Sequence, residues 1–255
     1  YSNLDRFGVS GAYLEGLKWI EMLEANHSLS QKEEWQVNEM KALLLNERGN
    51  QDEFLPIWYK LLKQYREADR PEDVGKCLLT IANHFIMLED YENALPLYKE
   101  AYQLALEHKS IELQQVSGIM LIKYLCGAGY YSESLEYYNK IKPEIAFNPS
   151  MQNEVVKSYM ELNKPDSARI YLAARLLSER GDKIVLNCMM AETYIPEGQE
   201  DSAFVFLDRA MKSYKEKAKN YQKQGREAIL PNCFLSPCYL FADLLWKKGK
   251  IQQAS

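Results

Sequence analysis

A pattern that returns along most of the chain restricts it to very few folds. Small or apolar anchors stand at Phe54, Ala94, Ser134, Ala168, Ala203 and Ala254, separated in turn by 40, 40, 34, 35 and 51 residues. Four residues after each of the first five comes a large apolar residue: Trp58, Tyr98, Tyr138, Leu172, Leu207. Seven after come Leu61, Ala101, Ile141, Arg175 and Ala210. Anchor, fourth and seventh positions share one stripe of a helix, so each unit is predicted to end in a helix packed through that stripe. An earlier helix is marked twelve residues before the anchors by Ala42, Ala82, Ile122, Val156, Ala191 and Ala242, and nine before by Leu45, Phe85, Leu125, Tyr159, Tyr194 and Leu245.

Between the two helices, five residues before each anchor, stand Gly49, Glu89, Gly129, Asn163, Gly198 and Gly249. Gly and Asn enter the left-handed conformation that ends a helix, so five of the six obey a stop rule and Glu89 is the exception. Pro165-Asp166-Ser167 and Gln199-Glu200-Asp201-Ser202 then supply helix starts. With only 12 Gly and 9 Pro in 255 residues, a turn-rich all-β fold is disfavoured.

Small-x-x-large, a tight turn, then small-x3-large-x2-small resembles the tetratricopeptide repeat family over residues 35–255. The best match is the unit of Ala82, Phe85, Tyr91, Ala94, Tyr98 and Ala101. Two departures affect where each repeat begins and ends. The family's early Trp is replaced by Asn38, Leu78, Gly118, Gln152, Asn187 and Cys238, and its terminal Pro is missing at the expected places. The resemblance implies an all-α fold, a right-handed superhelical array of antiparallel helical hairpins. About six hairpins would form one continuous solenoid over 35–255, the last truncated, after a partial hairpin over 1–34. There, Tyr13 to Leu29 fit a second helix with Gly16, Ile20 and Leu23 on its stripe.

The family binds polypeptides in a concave groove lined by the first helix of each unit. Carried over position by position, that groove contains Met40, Leu79, Asn83, Met87, Met120, Lys123, Lys157, Met160 and Met189. Met is soft and unbranched, which suits a permissive apolar groove; the same side chains would equally fill gaps between hairpins. The family's carboxylate clamp is not assembled. Asn83 and Lys157 occupy the clamp's Asn place in their units, but Glu39, Leu79, Ile119 and Asn153 stand where it needs Lys.

A net charge of −5 and pI near 5.5 argue against direct nucleic-acid binding. No apolar run approaches the roughly 18 residues that cross a bilayer, so this segment is not expected to insert into a membrane. Cys77, Cys126, Cys188, Cys233 and Cys238 have no disulfide framework or zinc spacing, and are expected to be buried thiols. Unpaired thiols favour the cytoplasm, with a periplasmic segment of a membrane-anchored protein as the alternative. His27, His84 and His108 are too scattered for a metal cluster and are expected on surface or partly buried helix positions. Neither the Gly8-to-Gly11 segment nor Gly127-Ala128-Gly129 has the context of a catalytic or phosphate-binding loop. No cofactor or metal is expected, and a hydrolase built on helical hairpins would need acid or metal clusters that the sequence lacks.

The expected function is therefore non-enzymatic: a protein-interaction scaffold, or the sensing region of a larger bacterial transcriptional regulator or signalling protein that controls a separate output domain. The chain begins at Tyr1 and ends at Ser255 partway into the pattern, which reads as a piece of a longer protein whose exposed ends could pair as a homodimer. A long helix from about Ser202 to Ile229 is predicted to end in a basic run, Lys212, Lys215, Lys217, Lys219, Lys223 and Arg226. That run is either a solvated extension or a docking face for an acidic partner.

Overall fold

The computed structural model of the chain describes residues 3–26, 28–48, 51–145, 151–178, 182–224, 239 and 242–246. Among the described residues every regular element is helical. The chain divides into two compact units, Tyr1–Leu121 and Ile122–Ser255, with the boundary inside one helix. The first unit holds α1 (Asn3–Asn26), α2 (Gln31–Arg48), α3 (Gln51–Glu67), α4 (Pro71–Met87), α5 (Tyr91–Glu107) and the start of α6 (Ile111–Gly127). The second holds the end of α6, α7 (Tyr131–Ile145), α8 (Gln152–Glu161), α9 (Pro165–Leu177), α10 (Lys183–Glu192), a 3-10 turn (Ile195–Glu197) and α11 (Glu200–Lys223). Within each unit, neighbouring helices pack along their lengths after short turns, giving an all-α array of antiparallel hairpins.

Local chemistry sets the helix starts. Ser30 and Glu33 form a reciprocal capping box at α2, with the Ser30 amide donating to the Glu33 carboxylate at 2.8 Å. Asp90 accepts the Asn93 amide at 3.1 Å to cap α5, and Asp182 accepts the Ile184 amide at 2.9 Å to cap α10. Helices α4 and α9 open with proline, whose missing N–H costs nothing in a first turn.

The helix ends share one geometry. At Asp69, Glu89, Lys109, Gly129, Asn163 and Gly198 the backbone is left-handed, with φ between 52° and 86°. In each case the next amide reaches back five residues, as Arg70 N–H to the Tyr65 carbonyl at 3.0 Å and Asp90 N–H to the Phe85 carbonyl at 2.9 Å. These bonds satisfy carbonyls that the helix end would otherwise orphan. Glu89, the apparent exception to the stop rule, thus turns like the rest. The first four turns fall at intervals of twenty residues, so each 40-residue unit is two equal helix-plus-turn halves. Gly49 and Gly249 lie outside the described residues.

The predicted stripe forms the core. Phe54, Trp58 and Leu61, then Ala94, Tyr98 and Ala101, are buried in the first unit. Ser134, Tyr138 and Ile141, Ala168, Leu172 and Arg175, and Ala203, Leu207 and Ala210 are buried in the second. Small residues at the anchors let the helices approach closely. Ser134 additionally donates its hydroxyl to the Ile122 carbonyl at 2.8 Å, which explains why a polar anchor is tolerated. Gly75 serves the same purpose between first helices: a Cβ there would stand 2.3 Å from a Leu113 methyl, so a larger residue would require the Leu113 side chain to shift.

Three expectations are corrected. α1 starts at Asn3, well before Tyr13, and buries Ile20 but leaves Leu23 exposed, because α2 is the only described helix that packs along it. His84 is buried, its ring tilted against that of Phe54 with centroids 4.9 Å apart, and not at the surface. The terminal helix runs from Glu200 to Lys223, and its predicted continuation to Ile229 falls outside the described residues, as do His27, Cys233 and Cys238. Cys77, Cys126 and Cys188 are buried free thiols.

Candidate interaction surface

In the first unit, α2, α4 and α6 lie side by side. Glu39 of α2 accepts the Tyr65 hydroxyl at 2.6 Å. Burial, with Glu39 and Asp73 nearby, pushes the Cys77 thiol of α4 up to about 12. That thiol stays protonated and inert near neutral pH. α4 in turn touches α6 through Gly75 and Leu113. The stripes of α3 and α5 are buried and each of these helices exposes one large hydrophobic, Tyr59 and Leu106, fewer than the first helices expose.

Among their exposed side chains are several large apolar ones. Met40 is 57% exposed in mid-α2 and Met87 is 73% exposed at the end of α4. Leu43, one turn on from Met40, and Leu88, next to Met87, are also exposed. The sequence argument missed these two, although Leu43 stands three residues after Met40 and so shares its face. Flanking cations are engaged: Lys41 pairs with Glu24 of α1 at 3.2 Å, and Lys76 lies 3.8 Å from Asp73. Asn83 is exposed but held, its side-chain oxygen accepting the Tyr98 hydroxyl, so α5 fixes its rotamer. Leu79 is half-buried against the core of the unit and contributes an edge only.

The remaining expected groove residues are arranged differently. Met120 on α6 is half-buried. Lys123 and Lys157 are exposed, with their ammonium groups 5.3 Å from the Tyr124 ring and 5.9 Å from the Tyr131 ring. Met160 is half-buried against a core containing Val156, Leu172 and Leu186. Met189 belongs to that core and is only 8% exposed. It cannot line an open groove, because α10 is buried nearly all round: Ile184, Leu186, Asn187, Cys188, Met189, Met190 and Ala191 are all inside. Of the expected residues, Met40, Asn83 and Met87 share the first unit's outer face.

One guanidinium organises the corresponding part of the second unit. Arg169 of α9 donates to the Thr193 carbonyl at 2.7 Å and to the Thr193 hydroxyl at 3.2 Å. It also pairs with Asp166 at 3.0 Å and with Glu197, and stands 4.0 Å from the centre of the Tyr194 ring. Tyr194 stacks on Phe206. The planar, multidentate head thereby locks the exit of α10 and the 3-10 turn onto α9 and α11.

Among the described residues no group of three or more His, Cys, Asp or Glu side chains could hold a metal ion. A cleft of about 390 Å³ at the turns before α4 and α6 is lined by Arg70, Asp73, His108 and Lys109. There Arg70 is already committed to Asp73 at 2.6 Å and to the faces of Trp35 and Tyr65. No described helix is long and apolar enough to cross a membrane.

No protein-family model matches the chain, and no curated protein matches it. Among solved structures, a chain in the complex of Naa15/Naa10 bound to HypK-THB is similar over 98% of this chain and 34% of its own length, at 20% identity and a TM-score of 0.45. This chain thus spans about a third of that chain's length, and the likeness is too distant to bear on function.

Proposed function

We propose that this chain is a scaffold that binds another polypeptide against the exposed faces of its first helices, centred on α2 and α4. The observation that carries this reading is the asymmetry of burial in the first unit. The stripe residues of α3 and α5 are inside and these helices expose one large hydrophobic each, Tyr59 and Leu106, while Met40, Leu43 and Met87 stand in water on α2 and α4. Thioethers exposed beside leucines fit an apolar segment of variable shape, such as one side of an amphipathic helix. The lack of an assembled carboxylate clamp argues that the bound segment is recognised along its length and not by its terminus.

The test is capture of partners with the full chain as bait, followed by titration of the identified, purified partner against the wild type and a Met40→Glu/Met87→Glu variant. Both positions are exposed, so circular dichroism should not change. Affinity is expected to drop at least tenfold, on the scale of losing about 1.4 kcal/mol or more of apolar contact. An unchanged affinity overturns the assignment of this face.

The finer reading, a sensing region of a larger bacterial regulator, rests on the repeat resemblance alone. It requires a DNA-binding or kinase segment in the same parent protein, and a parent made only of further hairpins sinks it. Self-association is a separate question for this reading. Trp19 and Met22 are exposed on α1, and sedimentation across a concentration series would show whether that face pairs two copies.

A further inference from the structure

Helix α11 carries a surface that the apolar-face reading does not use. It has 24 residues against 10 in its partner α10, about 36 Å against 15 Å at the usual rise. The two helices meet at their far end through Lys217, whose ammonium is 3.3 Å from Asp182, the N-cap of α10. Past that contact α11 continues to Lys223, so its last turn and a half overhangs the start of α10.

The charge on this segment is one-sided. Residues 212–223 hold five lysines and a single acid, Glu216, in a chain whose net charge is −5. Lys212 is neutralised by Asp208 at 2.7 Å and Lys217 by Asp182. Lys215, Lys219 and Lys223 are exposed and have no carboxylate partner among the described residues. They stand at i, i+4 and i+8, a single row of ammonium groups about 6 Å apart. The inner side of the same helix is occupied by Ala210, Met211 and Tyr214, which pack on Ile184 and Cys188. The row therefore cannot rotate inward to find acids without unpacking the hairpin.

We propose that the Lys215–Lys219–Lys223 row is a docking face for an acidic polypeptide segment. Charge complementarity picks out the occupant. Three lysines with no carboxylate partner among the described residues match a short run of Asp or Glu, whereas duplex nucleic acid needs a broader basic footprint. A lipid surface is disfavoured because the exposed positions between the lysines, Glu216, Asn220 and Gln222, are polar and offer no apolar wedge. Lysine, a hydrated point charge, gives fast, salt-sensitive attachment and not a rigid lock. This face is distinct from that of α2 and α4, and the two can succeed or fail independently.

The experiment measures fluorescence anisotropy of a labelled oligoglutamate peptide of about twenty residues with the full chain at low salt. A labelled DNA duplex and phosphatidylserine vesicles serve as competing probes. The variant Lys215→Glu/Lys219→Glu/Lys223→Glu is compared with Lys32→Glu/Lys60→Glu/Lys63→Glu, which makes the same charge change on the other unit, and with Met40→Glu/Met87→Glu. The expected result is at least a tenfold loss of oligoglutamate affinity in the first variant only, with circular dichroism unchanged and the wild-type interaction abolished at high salt. Equal losses in both triple variants would reduce the effect to net charge and overturn the proposal. So would tighter, row-dependent binding of the duplex or the vesicles.

Discussion

The two units end their helices with the same backbone geometry but with opposite chemistry. In the first unit the left-handed positions are Asp69, Glu89 and Lys109, of which Glu89 and Lys109 have side chains that resist that conformation. In the second they are Gly129, Asn163 and Gly198, which enter it readily. The spacing differs too. The first unit's α4 and α5 have 17 residues each, whereas α8 and α10 in the second have 10. The contrast shows that turn geometry is imposed by packing where long helices have a long stripe to bury. Where the helix is short, as α8 before Asn163, the turn residue itself favours the stop, although Gly129 after the 17-residue α6 shows that a long helix can end on such a residue too.

The comparison is broken most directly in the cores. Tyr98 is fully buried and bonds Asn83; Leu172 holds the equivalent stripe position in the second unit. Urea unfolding should show Tyr98→Ala costing about 3–5 kcal/mol and Leu172→Ala about 2–5 kcal/mol. If Leu172→Ala costs far more, the longer stripe is not what stabilises the first unit. Next in size is the Arg169 lock. Arg169→Ala should cost about 2–3 kcal/mol, and Arg169→Lys should recover little, since an ammonium cannot reproduce the fork that meets Thr193 and Glu197 together. Full rescue by lysine would reduce the lock to simple charge.

His84 distinguishes the units by pH. It is 4% exposed with neither ring nitrogen bonded to protein, and burial lowers its pKa below the ordinary 6.5. The unfolded chain therefore takes up the proton more readily than the folded one. Stability attributable to His84 is intact above pH 6.5 and declines as pH falls from there toward the depressed folded value. Denaturation midpoints measured between pH 7.5 and 5 should fall, and His84→Leu should flatten that part of the decline. An identical slope in the variant would assign the acid sensitivity elsewhere. The smallest effects are at the turns. Glu89→Gly should stabilise by about 0.5–1 kcal/mol and Gly198→Ala destabilise by about 1 kcal/mol, read as shifts in thermal midpoint. A destabilised Glu89→Gly would show that the strain at this turn is more than repaid by the side chain.

Legibility followed periodicity. Anchor, fourth and seventh residues of the five second helices anchored at Phe54, Ala94, Ser134, Ala168 and Ala203 are all inside, even Arg175, which is 2% exposed among Tyr138, Tyr171 and their neighbours. Met189 was misplaced for a reason that the sequence did carry. Val185 to Ala191 contains a single polar residue, Asn187, and a helix apolar on all sides is buried on all sides. The face that the repeat pattern assigns to a groove is here covered by neighbouring helices. His84 was misread because one imidazole on a helix gives no periodic signal.

Sequence by itself therefore determined the helices, their hairpin order, the buried stripe and most of the stops, since each of these follows from the spacing of small and large residues along a 3.6-residue period. Tertiary structure alone decided which first-helix residues reach water. It also bent Glu89 into a glycine's conformation, enclosed His84, and gave Lys215, Lys219 and Lys223 no carboxylate partner among the described residues. Those outcomes depend on the length and placement of the neighbouring helix, and no local pattern in the chain encodes what packs against a face from tens of residues away.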